Sequence, residues 1–106
     1  MRDRLALLAM ALGLTTLCLA SVAEDESRLK TYGRHLAQEC TACHRLDGVD
    51  NGIPAIVGWS AERFVATLEF YRTGERTNPV MVSVAKSLQP DQIRALAAYY
   101  AAQPKR

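Results

Sequence analysis

The sequence predicts an all-α fold. Three segments repeat apolar residues at steps of three and four, which is the spacing of one face of a helix. Residues that favour helix starts and stops flank the second and third segments. No stretch alternates apolar and polar residues for long enough to predict a strand. We therefore expect amphipathic helices joined by two long loops.

The first amphipathic segment runs from about Ser27 to Cys40. Its last turn leads directly into the cysteine-rich stretch that follows. Its apolar face consists of Leu29, Tyr32, Gly33, Leu36, Ala37 and Cys40.

The second segment runs from about Ala61 to Thr73. Ser60 can cap its N-terminus, Glu62 suits its first turn, and Gly74 is a natural stop. Its apolar face consists of Phe64, Val65, Leu68 and Tyr71.

The third segment runs from about Pro90 to Ala102. Pro90 suits the first helical position, and Asp91 suits the positive end of the helix dipole. Its apolar face consists of Ile93, Leu96, Ala97 and Tyr100.

Two connecting segments, Arg45 to Trp59 and Gly74 to Gln89, are expected to be loops. About fifteen residues without regular structure is long for a compact domain, and such loops usually serve a function. Wrapping a bound group would be a sufficient reason for their length.

The stretch Cys40-Thr41-Ala42-Cys43-His44 predicts that bound group. Two thiols three positions apart, followed at once by a histidine, are the attachment signature of a c-type haem. The thiols add to the two vinyl groups on one porphyrin edge, and one helical turn from Cys40 to Cys43 spans that edge. His44 is then placed to bind the iron as proximal ligand.

Two other interpretations of these residues remain open. Two cysteines in a secreted chain can form a disulfide or exchange thiols, although the βαβ context of thioredoxin-like motifs is missing. A zinc site can be assembled from His35, Cys40, Cys43 and His44, although zinc motifs usually bring a second ligand pair from a distant segment.

The N-terminus predicts a secretory signal peptide. Arg2 and Arg4 precede an almost wholly apolar run from Leu5 to Ala20, and small residues follow. We expect cleavage after Ala23, with cleavage after Ala20 as an alternative. Residues 1–23 would then be the signal peptide, residues 24–106 the mature domain, and the periplasm its location. A retained membrane anchor is the competing interpretation, but the run falls short of the roughly 20 residues of a spanning helix.

Cleavage leaves a chain of nearly balanced charge. The signal segment takes away two of 13 basic and one of 11 acidic residues. It also takes Cys18, so that Cys40 and Cys43 become the remaining cysteines. Nothing in this balance predicts a nucleic-acid partner, and no stable membrane insertion is expected after cleavage.

Met81 is the predicted second iron ligand. It would be the sole methionine of the mature chain, because Met1 and Met10 leave with the signal peptide. Asn78-Pro79 before it predicts an extended approach that breaks any helix. A thioether reaching the far side of the haem from this loop would complete six-coordination and raise the reduction potential. Core packing is the alternative role for Met81. His35, nine residues before His44, cannot easily reach that side.

The chain from Gly33 to Ala102 resembles a small bacterial class I cytochrome c. The matching pieces are Gly33, the haem motif, residues 53–58, residues 77–81 and the closing helix with Tyr99-Tyr100. The resemblance implies a fold of three to four helices around one covalent haem with one edge exposed. It implies a close crossing of the first and last helices at Gly33. It also implies that the Pro54 carbonyl accepts a hydrogen bond from His44.

Residues 70–86 are similar to the cytochrome subunits of flavocytochrome c sulfide dehydrogenases. This similarity implies a flavoprotein electron donor. We therefore expect a one-electron carrier and no enzyme activity. Alternatives are a free cytochrome serving a terminal oxidase or reaction centre, and a haem enzyme or gas sensor with an open distal site.

Two surface features have two interpretations each. Trp59 either lines the haem pocket or caps the second helix. Four cations either form a ring that steers an acidic partner or are ordinary solvated charges, which the near-zero net charge favours: Arg45, Arg72, Arg76 and Lys86.

Overall fold

Four helices and no strand make up the described part of the chain in the computed structural model. The backbone is described for residues 2–105 and the side chains for residues 17–105. The helices are α1 (Arg2–Cys40), α2 (Ala61–Thr73), α3 (Pro79–Ser87) and α4 (Pro90–Ala101). The all-α prediction is confirmed, and the arrangement is consistent with a cytochrome c fold.

Helix α1 is longer than the sequence predicts. It was expected to begin near Ser27, but it spans 39 residues and continues through the predicted cleavage site at Ala23. The leader is rich in leucine and alanine, which favour helix, and residues 14–40 contain one glycine and no proline. The side chains of Arg2, Arg4 and Met10, and Met1 as a whole, lie outside the described residues. No helix in the described residues is long and apolar enough to cross a membrane.

Helix α2 has the bounds that the sequence predicts. The Ser60 side chain caps it by accepting a hydrogen bond from the Arg63 amide at 3.2 Å. Gly74 ends it in the left-handed region with φ of 84°, a conformation that favours glycine.

Helix α3 corrects the prediction of a loop over Gly74–Gln89. Asn78 is its N-cap and accepts hydrogen bonds from the amides of Val80 and Met81 at 3.1 and 3.2 Å. Pro79 occupies the first helical position, where its missing N–H costs nothing. The Asn-Pro pair therefore starts a helix here, and Met81 lies in the first turn of that helix.

Helix α4 is also as predicted, to within one residue at its end. Its N-terminus is fixed by the Gln92 side chain, which accepts a hydrogen bond from the Gln89 amide at 2.8 Å. It packs against both α1 and α2, while α3 packs against α2.

Gly33 is where α1 and α4 cross closely. A Cβ atom at this position would lie 2.0 Å from the Ala95 carbonyl oxygen and 2.8 Å from the Tyr99 Cβ. Only glycine permits this approach, so the crossing that the resemblance implied is present.

A single apolar core lies among α1, α2, α4 and residues 56–57. Helix α3 contributes one alanine to it. Its buried members are Ala37, Ile56, Val57, Phe64, Leu68, Ala85, Ile93, Leu96, Ala97 and Tyr100.

Candidate haem-binding site

The end of α1 folds the predicted attachment motif into one compact turn. The Cys40 carbonyl accepts hydrogen bonds from the Cys43 amide at 3.1 Å and from the His44 amide at 2.8 Å. Both thiols are free. Because the helix runs straight into this turn, the position of α1 sets the position of both thiols and the imidazole.

His44 is oriented by the loop that follows. Its Nδ1 lies 2.7 Å from the Pro54 carbonyl oxygen, so the hydrogen bond implied by the resemblance is present. A carbonyl can only accept, so Nδ1 carries a proton, and in the neutral imidazole Nε2 is then the nitrogen with the free lone pair. A histidine that donates through one nitrogen and offers the other is the arrangement that metal-binding histidines use.

The two cysteines differ in environment. Cys40 is half-buried and packs against the core, whereas Cys43 is exposed. Burial raises the pKa of the Cys40 thiol, and the Tyr100 hydroxyl partly opposes that rise. The two thiols therefore differ in burial before any haem is attached.

Met81 is half-buried and packs against the same core cluster as Cys40. Helix α3 supports this placement, since the Asn78 cap holds the Met81 amide directly. The alternative of core packing is therefore part of what Met81 does, and its role as a ligand stays a prediction.

The other histidine does not join the site. His35 lies on an exposed part of α1. Within the described residues, no three histidine, cysteine, aspartate or glutamate side chains converge on a point that could hold a metal ion. The structure therefore offers no preformed site of the kind the zinc interpretation requires.

Apolar side chains are exposed near the attachment turn and near Met81 in the sequence. The loop after the motif exposes Leu46, Val49 and Ile53, and Val80, next to Met81, is 65% exposed. Two thiols, one imidazole and one thioether fit the chemistry of a covalent haem. The exposed apolar side chains are ones that such a group could cover.

Trp59 is half-buried against the core and covered by a cation. The Arg63 guanidinium carbon lies 3.7 Å from the centroid of its ring. This cation–π contact ties the start of α2 to the loop before it. Trp59 thus packs at the start of α2, and a contact between Trp59 and the haem stays a prediction.

Three of the four cations that could form a steering ring have partners. Arg45 pairs with Asp47, Arg72 lies 3.6 Å from Glu69, and Arg76 lies 5.6 Å from the ring centroid of Tyr71. The sequence had no signal for these pairings beyond the proximity of opposite charges. They agree with the interpretation as ordinary surface charges.

The comparisons with known proteins give two relatives. The first, from Thiomonas intermedia (strain K12), is named thiosulfate dehydrogenase electron acceptor. It is 37% identical over 67 residues, covering 60% of this chain and 31% of the relative. A protein of the same name from Stutzerimonas stutzeri (strain A1501) is 30% identical over 93 residues, covering 83% of this chain and 43% of the relative.

The chain thus spans less than half the length of either relative. No family model matches it. The relatives are named as electron acceptors, and the chain is similar to them across most of its own length.

Proposed function

We propose that this protein is a one-electron carrier with a single covalently attached haem c. The observation that carries the proposal is the 2.7 Å hydrogen bond from His44 Nδ1 to the Pro54 carbonyl, within a Cys-x-x-Cys-His turn. In the neutral imidazole that bond selects the tautomer with an unprotonated Nε2, and it limits rotation of the ring. An imidazole held in this way is ready to bind iron without further rearrangement.

Each residue of the site has a separate task. When haem is bound, Cys40 and Cys43 would hold it through two thioether bonds, and His44 and Met81 would bind its iron. The haem, when bound, supplies an iron that takes up and gives back one electron. Axial methionine raises the reduction potential, and a full ligand set keeps other molecules off the iron.

The exposed apolar side chains would exclude water. Leu46, Val49, Ile53 and Val80 together offer apolar surface that a porphyrin could cover. Covering it would stabilise the folded protein and lower the dielectric around the iron. A small domain gains much from such an added apolar body, since its own core is limited.

An electron carrier is favoured over a haem enzyme because both relatives are named electron acceptors. A haem enzyme or gas sensor needs a vacant distal position. In this proposal Met81 fills that position.

We further propose that the donor is a dehydrogenase that oxidises a reduced sulfur compound. The names of the relatives favour a thiosulfate dehydrogenase. The flavoprotein sulfide dehydrogenase, implied by the similarity of residues 70–86, stays a prediction. A free carrier serving a terminal oxidase or reaction centre is the remaining alternative.

The proposal places the mature protein, residues 24–106, in the periplasm after removal of residues 1–23. The support is the sequence pattern of the leader. Haem attachment and electron exchange with a periplasmic dehydrogenase would both take place there.

The function is tested by offering the oxidised protein to each donor. A trace of thiosulfate dehydrogenase with thiosulfate should reduce the haem fully, and the visible spectrum should change to the ferrous form. A flavoprotein sulfide dehydrogenase with sulfide is the parallel trial, and omission of each enzyme is the control for direct chemical reduction.

Haem reduction that needs both thiosulfate dehydrogenase and thiosulfate, and that does not occur with sulfide dehydrogenase and sulfide, would support the proposed donor. Reduction by neither enzyme, together with fast exchange with a terminal oxidase, would show that the donor assignment is wrong. Carbon monoxide binding by the unaltered ferrous protein would contradict the electron-carrier proposal itself.

A further inference from the structure

The Tyr100 hydroxyl is the one buried side-chain polar atom without a hydrogen-bond partner in the described residues. Tyr100 is completely buried on α4. Its ring stacks on Phe64 at a centroid distance of 5.4 Å and meets Tyr99 edge-on at 5.2 Å. Its carbonyl accepts hydrogen bonds from the amides of Gly58 and Gln103 at 2.9 and 3.1 Å. The ring and backbone are therefore fixed, and the hydroxyl is fixed with them.

A buried hydroxyl without a partner destabilises the folded state. Phenylalanine would stack on Phe64 equally well and would carry no such cost. Buried tyrosines usually find a hydrogen-bond partner for the hydroxyl. The presence of tyrosine at position 100 therefore indicates that the hydroxyl acts on a neighbouring group.

Cys40 is the neighbouring side chain best placed to become that partner. Cys40 packs against the core cluster that contains Tyr100. It lies two helical turns after Gly33, on the same face of α1, beyond the close crossing with α4. The electrostatics agree: burial and the Cys40 thiol together raise the pKa of Tyr100, and the hydroxyl in turn favours the Cys40 thiolate.

We propose that Tyr100 is a positioning residue for haem attachment: its hydroxyl donates a hydrogen bond to the Cys40 sulfur and aims that sulfur at the attachment edge. This inference rests on the proposed function. In the attachment reaction the S–H bond of Cys40 breaks and a sulfur–carbon bond forms to one vinyl carbon. The hydrogen ends on the other vinyl carbon, so no external oxidant or reductant is needed.

The effect should be confined to one of the two thiols. Cys43 is exposed, and solvent can reach its sulfur. Cys40, at the end of α1, is half-buried against the core, where its side chain has little room to change rotamer. Loss of the hydroxyl should therefore impair attachment at Cys40 and leave attachment at Cys43 unchanged.

The test compares Tyr100→Phe with Tyr99→Phe in protein made with a haem-attachment system. After unfolding and alkylation of free thiols, peptide mapping gives the free fraction of each cysteine. We expect free Cys40 to rise about fivefold in Tyr100→Phe, the equivalent of one ordinary hydrogen bond. Free Cys43 should not change, and Tyr99→Phe should match the unaltered protein.

Equal free Cys40 in Tyr100→Phe and the unaltered protein would overturn the positioning role. Absence of attached haem from the unaltered protein would instead remove the proposed function, and the positioning role with it. The two failures are therefore distinguishable.

A second measurement needs no change at Tyr100. In Cys43→Ser the only thioether is at Cys40, so its carbon–sulfur stretch is the one such band in the resonance Raman spectrum. Exchange into D2O should shift this band if the Tyr100 O–H donates to the sulfur. Tyr100→Phe in the same background should abolish the shift, and a shift that persists or never occurs would contradict the hydrogen bond.

Discussion

At the scale of single residues, the site depends on contacts that reach across the chain. The His44 imidazole is held by the carbonyl of Pro54, ten residues later. The Cys40 thiol is surrounded by the core and lies near Tyr100 on the last helix. Changes far from the motif in sequence can therefore alter its chemistry.

The first residue-scale prediction concerns Met81. Met81→Ala should remove the weak red absorption band of methionine-ligated ferric haem. It should let the ferrous iron bind carbon monoxide, because the distal position becomes vacant. It should also lower the reduction potential by on the order of 0.1 V, a small part of the roughly 0.8 V range that axial ligands span.

Ser83→Ala is the matched control. Ser83 lies on α3 two residues after Met81 and is exposed. The spectrum and potential of this variant should stay close to those of the unaltered protein. If Met81→Ala also kept the unaltered spectrum and potential, Met81 would not be the ligand, and His35 or a lysine would need testing.

The motif residues could be identified from the sequence because covalent haem attachment needs a fixed local spacing. Tyr100 could not be identified in this way. In the sequence it is one member of an apolar helical face, like Ile93 and Leu96. The lack of a partner for its hydroxyl depends on how α1, α2 and α4 pack, which no local pattern encodes.

At the scale of elements, α3 shows how one dipeptide can be interpreted in two ways. A residue before proline avoids helical geometry, so Asn78-Pro79 predicts extended chain. Asn78 does lie outside helical geometry, with ψ of 118°, but it is the cap of a helix that Pro79 begins. The prediction failed because the same preference suits the residue before a helix start.

Helices α2 and α4 were predicted almost to the residue. Ser60 and Gly74 bound α2, and Pro90 begins α4, each for a local backbone reason. The start of α1 was not predictable in the same way, because the leader is itself a good helix former and no proline separates it from residue 27.

The element-scale prediction concerns Gly33. Gly33→Ala should destabilise the holoprotein by about 1–3 kcal/mol, because the added Cβ would force α1 and α4 apart. The gain in helix propensity, roughly 0.5–1 kcal/mol, offsets only part of that cost. Guanidinium unfolding followed by circular dichroism measures the change.

Arg34→Ala on the same helix is the control, since Arg34 is exposed. It should change the free energy of unfolding by less than about 0.5 kcal/mol. An unchanged or raised unfolding midpoint for Gly33→Ala would show that the helix crossing is looser than the structure has it.

At the scale of the whole molecule, charge is balanced and locally paired. Arg45 and Arg72 each pair with an acidic residue in their own loop or helix, and Arg76 lies over the ring of Tyr71 in the helix before it. The apolar side chains of the site, in contrast, are exposed. We therefore expect a partner to dock mainly on apolar surface near the haem, with little long-range steering.

Docking on apolar surface predicts that the rate of haem reduction depends only weakly on salt concentration. The rate of haem reduction by the sulfur-compound dehydrogenase should change by less than about threefold between low and physiological ionic strength, since screening acts mainly on exposed charges. Lys86→Gln should have a similarly small effect on the rate. A rate that falls steeply with salt, and falls again in Lys86→Gln, would restore the steering ring.

The mass of the denatured protein tests covalent haem attachment most directly. Protein produced with a haem-attachment system is unfolded, extracted with acid and organic solvent, and analysed by mass spectrometry. We expect the mass of residues 24–106 plus one haem, and lower yields of that species for Cys40→Ala and Cys43→Ala. A mass equal to that of the bare polypeptide would show that this chain carries no covalent haem.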